Sequence, residues 1–255
     1  MKEKLPLIGK YSMLAEPFHC DFNHAIHMGR LGNCMLNAAD FHSTERGFGM
    51  RYLNTINKTW VLSRLCVEMQ EMPAQNSRFS IETWVENAKR FFTQRNFRIT
   101  DEKSGSVLGY GRSVWALIDF TTRQPTDILA VRDGDITEWI NPDMACPIAP
   151  PGRVKVTNGA RLVASVSTKY SDIDINGHVN SVKYIEHIMD LFPLSFYKEN
   201  RIRRFDIAYV AETYYGDTLN FYIDDSVQSE KVIRITKTSN ESQEETEVVR
   251  CAMFF

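Results

Sequence analysis

A chain of 255 residues, 43% apolar and 24% charged, has the make-up of an ordinary globular protein, with length for one large domain or two modest ones. Its net charge of −2 gives no general attraction to nucleic acid or anionic membrane. Five scattered cysteines suit a reducing cytosol better than a disulfide framework, and no apolar run approaches the ~20 residues of a membrane span.

The opening stretch, MKEKLPLIGKYSMLAEPF, has two early lysines but no apolar core or small-residue cleavage pattern, so no signal peptide is expected. GRLGNCMLNAADFHSTERGFG then places Leu31, Cys34, Met35, Ala38, Ala39 and Phe41 on a helical stripe ending near Gly47. Strands are predicted at 58–72, 78–85, 90–100 and 107–120, where aromatic and β-branched residues dominate and DEKSG and TTRQP mark turns. The segment TEWINPDMACPIAPPGRV (137–154), rich in proline, reads as a linker, although Trp139 and Ile140 suggest that it packs against something.

The second half repeats the order. RLVASVSTKY (161–170) alternates as a strand. HVNSVKYIEHIMDLF (178–192) carries a helical face of Val179, Val182, Ile185, Ile188, Met189 and Phe192, limited by Pro193. Strand material follows at 203–217, 218–224, 231–238 and 244–255. Setting Gly29 against Gly177, an offset of 148, aligns the two helix starts; Arg64 against Arg204, an offset of 140, aligns the strands after them. The chain therefore reads as a duplicated unit of strand, helix and four strands, an α+β arrangement of one helix on a curved antiparallel sheet. In that alignment Met28, Arg30 and Met72 stand opposite Asn176, His178 and Glu212, which assigns any active site to the second copy.

A carboxylate, an amide and an imidazole gather in SDIDINGHVN (171–180). Asp174, Asn176 and His178 fall on alternate positions before a predicted helix, and an extended stretch would put them on one face. Other constellations are weaker. His19, Cys20, His24 and His27 do not share a face as metal ligands would, GYGRS is not a full dinucleotide fingerprint, and there is no G-x-S-x-G elbow. No metal and no cofactor is expected.

DIDINGHVNSVKYIEHIMD closely resembles the active-site segment of the acyl-acyl-carrier-protein thioesterases, D-x-D-x-N-x-H-V-N-N-x-K-Y-x-x-W. WVLSR (60–64), ETWV (82–85) and RSVWALID (112–119) followed by TTRQP resemble the first half of that family, bacterial members included. The resemblance implies two tandem hotdog domains, each a curved antiparallel sheet wrapped around a central helix: residues 1–136 with the acyl pocket, a linker 137–154, and residues 155–255 with the catalytic groups. It implies hydrolysis of acyl-acyl carrier protein, with catalytic Asp174, Asn176, His178 and Glu212. Where relatives often carry cysteine after the acidic residue, this chain has Thr213, which favours a carboxylate-activated water over a thiolate.

On that reading Glu212 is the base, and backbone N–H groups near Gly177 to Val179 at the helix start bind the thioester oxygen. Met35, Ala39 and Trp60 are expected to line the acyl pocket. Arg201, Arg203 and Arg204, in KENRIRRF, are expected to dock the acidic carrier protein. The expected partners are acyl carrier protein and an acyl thioester, with no nucleic acid and no membrane span, in the cytoplasm; a homodimer is left open. Hydrolysis of acyl-coenzyme A and non-catalytic acyl binding are the alternatives.

Overall fold

The computed structural model describes residues 5–157, 159–226 and 230–255. Two compact units divide the chain, residues 1–150 and 151–255. In the first, β1 (Gly9–Leu14) precedes α1 (Met28–Glu45) and the short α2 (Met50–Thr55). Four strands follow: β2 (Lys58–Met69), β3 (Arg78–Ala88), β4 (Phe92–Asp101) and β5 (Val107–Asp119). Every pairing is antiparallel, in the order β1-β3-β4-β5-β2.

In the second unit β6 (Arg161–Ser167) precedes α3 (Ser181–Met189) and α4 (Leu194–Glu199). β7 (Arg204–Tyr209), β8 (Thr218–Asp224), β9 (Glu230–Thr238) and β10 (Glu245–Phe254) follow. The order β7-β10-β9-β8-β6 is antiparallel throughout and repeats the topology of the first unit, strand for strand. The duplication is a duplication of fold.

α1 forms because Leu31, Cys34, Met35, Ala38, Ala39 and His42 recur at helical spacing on its buried face. The His27 ring accepts the Arg30 N–H as N-cap. Phe41 lies off the stripe and is exposed; His42 takes the next buried place. Burial, reinforced by the nearby Arg95 and Arg46 guanidiniums, pushes the His42 pKa down to about 3. His42 Nε2–H donates to the Leu7 carbonyl at 3.0 Å, tying the segment before β1 to the helix.

α3 starts at Ser181, three residues later than the periodicity predicts, because Asn180 is its N-cap and residues 174–178 are held in a separate loop. Val182, Tyr184, Ile185 and Ile188 are buried. Tyr209 of β7 donates its hydroxyl to the Ser181 carbonyl at 2.9 Å, and Pro193 splits the remainder off as α4.

Residues 137–150 pack on the first unit. Trp139 joins the cluster of Phe48, Leu53, Leu117 and Ile136, Ile140 bridges Val85, and the Trp84 indole donates to the Met144 carbonyl at 2.9 Å. The apolar residues of this proline-rich stretch give it a surface to lie on, so it is not a free spacer.

Candidate active site

The loop Asp174–His178 is closed by its own backbone and by one carboxylate. Asp174 N–H donates to the His178 carbonyl at 2.8 Å, and Gly177 N–H to the Asp174 carbonyl at 3.1 Å. Asp174 Oδ1 accepts the N–H groups of Asn176 at 2.8 Å and His178 at 3.3 Å. Gly177 sits at φ +81°, a conformation that other residues adopt with strain. Ile173 and Val179 bridge at the loop's base, and Val179 N–H donates to the Thr213 carbonyl at 2.8 Å.

This last bond brings a second loop to the first. β7 ends at Tyr209, so Glu212 stands in the connection to β8 rather than in the long strand predicted over 203–217. Gly216, at φ +87°, and Asp217, whose carboxylate accepts the Tyr214 N–H at 3.0 Å, turn the chain there. Glu212 Oε2 lies 3.6 Å from His178 Nε2 and 3.4 Å from the Tyr214 hydroxyl. The Tyr214 ring meets the His178 ring edge-on at 5.1 Å. Thr213 is fully buried.

The structure thus joins His178 and Glu212, with Asn176 partly exposed on the same loop, while Asp174 turns inward to bracket the backbone. The backbone N–H groups of 177–179 are not available to a substrate oxygen as the sequence suggested. Each already donates inside the protein, because the helix begins only at Ser181.

The first unit holds the same loop without the histidine and the glutamate. Cys20 and Ile26 bridge at its base. Asp21 N–H donates to the Ala25 carbonyl at 2.9 Å and His24 N–H to the Asp21 carbonyl at 3.0 Å. Asp21 Oδ1 accepts the Asn23 N–H at 2.8 Å, and Ile26 N–H donates to the Pro73 carbonyl at 3.0 Å. His24, at φ +57°, takes the place of Gly177.

The loops therefore correspond at an offset of 153, not the 148 given by matching Gly29 to Gly177. Gly29 is an ordinary helical residue, whereas Gly177 is a turn residue. Asp21 and Asn23 match Asp174 and Asn176, and only Ala25 and Met72 break the set, opposite His178 and Glu212. The repeated D-x-N spacing was the sequence signal for this.

The residues expected in an acyl pocket do not gather at one place. Met35 is fully buried on α1, with its methyl group against Gly111 of β5, where a Cβ would clash. Ala39 is buried one turn on. Trp60 packs instead on the Phe48–Leu53–Leu117 cluster and donates Nε1–H to the Phe48 carbonyl at 2.8 Å. On β2 it lies seven residues from Val67, the partner of Gly111, roughly 20 Å along the strand. Of the expected docking residues, Arg201 and Arg203 are exposed. Arg204 is not, since its guanidinium makes two bonds to the buried Asp206, at 2.6 and 3.0 Å. Asp172, which the sequence reading passed over, is buried at the base of the loop and faces His187.

A sequence model of the acyl-ACP thioesterase N-terminal domain matches residues 10–132, and one of the C-terminal domain matches residues 157–252. The chain belongs to the acyl-ACP thioesterase family. A crystal structure of an acyl-ACP thioesterase from Bacteroides thetaiotaomicron is similar over 98% of both chains, with 51% identity and a TM-score of 0.88. The 12:0-ACP thioesterase from Umbellularia californica shares the fold, with a TM-score of 0.82 over 99% of this chain and 98% of that one, at 19% identity. Oleoyl-acyl carrier protein thioesterase 2 of Arabidopsis thaliana is 23% identical over 90% of this chain and 66% of its own length. A palmitoyl-acyl carrier protein thioesterase of Gossypium hirsutum is 26% identical over 61% of this chain and 38% of its own length. The chain thus spans about two fifths to two thirds of the length of these two plant relatives. Like the family's solved members, it has two hotdog units, and no helix among the described residues is long and apolar enough to cross a membrane.

Proposed function

We propose that this thioesterase-family chain hydrolyses acyl-acyl carrier protein, releasing free fatty acid and so ending fatty acid synthesis. The observation that carries the reading is the approach of His178 to Glu212 at 3.6 Å, in a chain 51% identical to an acyl-ACP thioesterase. Glu212 takes a proton from water, and the hydroxide oxygen bonds to the thioester carbonyl carbon. The C–S bond then breaks and the thiolate leaves with a proton returned from the site. A thiolate is a good leaving group, so this last demand is light.

With the backbone of 177–179 occupied, side chains of the same loop are the donors within reach of the oxyanion in this reading. The Asn176 amide is the donor we assign to it, while His178, whose Nε2 faces Glu212, shares a proton with the reacting groups. Asp174 serves by fixing the loop, as Asp21 does where no chemistry is done. We assign the acyl chain to the first unit, along the buried face of α1 at Met35 and Ala39, where a flexible methionine can give way. Arg201 and Arg203 offer exposed positive charge to an acidic carrier, and the reduced thiols fit the cytoplasm.

Acyl-carrier-protein and acyl-coenzyme A substrates of graded chain length, assayed side by side, test this. The reading expects a higher kcat/KM for the carrier-protein thioesters. Preference for coenzyme A would transfer the activity to that substrate, and no turnover of either would end the proposal.

A further inference from the structure

A histidine–aspartate pair, its aspartate buried and its histidine half-buried, underlies the loop that carries His178. Asp172 closes the single 3-10 turn Tyr170–Asp172. Its Oδ2 accepts the Lys169 N–H at 2.6 Å, its carbonyl accepts the N–H of Asn180 at 2.8 Å, and its Oδ1 faces His187 Nε2 at 3.1 Å. An ionised carboxylate only accepts, so His187 Nε2 carries the proton in this contact. His187 lies in the last turn of α3, its ring 6.1 Å from that of Phe221 on β8. Asp172 therefore ties together the turn that enters the loop and the helix beneath through its carboxylate, and the N-cap that leaves the loop through its carbonyl.

The first unit separates fold from function here. At the same offset of 153, His19 stands for Asp172 and Cys34 for His187. His19 Nδ1 turns instead to Glu16, at 2.6 Å, and Cys34 is simply buried in α1. The loop's frame persists there without the pair, so the frame does not need it. What the first unit lacks, together with the pair, is the histidine and the glutamate of the site.

We propose that Asp172 and His187 form a positioning pair that sets the direction of His178 toward Glu212. This rests on the hydrolytic reading above. Neither residue touches substrate; they act through the loop. A displacement of about 1 Å at reacting groups costs on the order of a hundredfold in rate, so a small slackening of this pair is visible in kcat.

The test compares His187→Ala, His187→Gln and His187→Asn in the full chain. Glutamine can place an N–H near the Nε2 position, whereas asparagine reaches only as far as Nδ1. Expected are kcat losses of roughly tenfold to a hundredfold for Ala and Asn, little change in KM, and recovery of most of the loss in Gln. A rise in KM with kcat unchanged, or Gln and Asn variants that behave alike, would overturn the proposal. If the Ala variant does not fold, the Gln–Asn contrast decides. The imidazole NMR signals of His178 give a readout that needs no turnover: they should move in His187→Asn and return in His187→Gln. Unmoved signals in the Asn variant reject the pair. An inactive wild type would reject the hydrolytic reading alone and leave the NMR comparison to judge the positioning.

Discussion

His178 Nε2 and the Tyr214 hydroxyl converge on one oxygen of Glu212, at 3.6 and 3.4 Å. Both distances are long for hydrogen bonds, as is common at sites that tighten around substrate. The Tyr214 hydroxyl donates to the carboxylate and the His178 imidazole stands just beyond hydrogen-bond reach, a geometry that suits proton transfer more than a structural ion pair. Glu212→Gln should therefore lower kcat by about 10²–10⁴ with little change in KM, the signature of a lost base. A variant keeping more than about a third of wild-type kcat would remove Glu212 from that role.

Thiol chemistry makes the opposite prediction. Cys34, Cys66 and Cys251 are buried, and burial pushes the thiols of Cys20, Cys34, Cys146 and Cys251 up, away from the reactive thiolate. With Thr213 beside Glu212, iodoacetamide should leave native activity largely intact. Inactivation that substrate prevents, mapped to one alkylated cysteine, would replace the water mechanism with a covalent one.

Charge reversal tests the carrier. Arg201 and Arg203 are exposed, whereas Arg204 is committed to Asp206. Arg201→Glu with Arg203→Glu should raise KM for acyl carrier protein substrates by about tenfold, with kcat near wild type and the effect shrinking in salt. A short acyl-pantetheine should not notice the change. Equal effects on both substrates, or none on either, would move docking elsewhere.

His42 gives the fold a pH dependence of known sign. Its folded pKa is pushed down from 6.5 to about 3, so below pH 6.5 the unfolded chain takes up a proton that the folded chain refuses. Stability from this group is full at neutral pH and falls as the pH drops toward 3. At pH 5 the loss is about 2 kcal/mol. His42→Gln, which can keep the donation to Leu7, should remove that slope. Urea denaturation of both proteins at pH 7 and pH 5 measures it, and identical differences would contradict the assignment.

Much of the fold was legible in the sequence because its signals are local. The stripe of α1, the β-branched runs and the turn dipeptides each announce an element. The strand before the first helix was implied by the repeat but not located; β1 at Gly9–Leu14 is short and only half buried along its length. The site was legible as residue types but not as geometry. The alternation of Asp174, Asn176 and His178 suggests one face of an extended strand, yet Gly177 in the left-handed region and the two N–H groups on Asp174 fold them into a loop. Consequently the Asp174 carboxylate is engaged by the backbone of Asn176 and His178, and the backbone donors expected of 177–179 are already in use. The Asp172–His187 contact joins residues fifteen apart through a turn and a helix, a relation that no periodicity encodes.

The silent loop of the first unit supplies a calibration that most enzymes lack. Substituting an aspartate in an active-site loop normally confounds two losses, the collapse of the loop and the failure of the chemistry. Here Asp21 accepts the Asn23 N–H at 2.8 Å, just as Asp174 accepts that of Asn176, in a loop where Ala25 and Met72 stand in place of His178 and Glu212. The unfolding free energy lost in Asp21→Ala is thus a benchmark for the architectural share of Asp174→Ala. A loss of kcat in folded Asp174→Ala that folded Asp21→Ala does not share is then what the Asp174 carboxylate owes to the site.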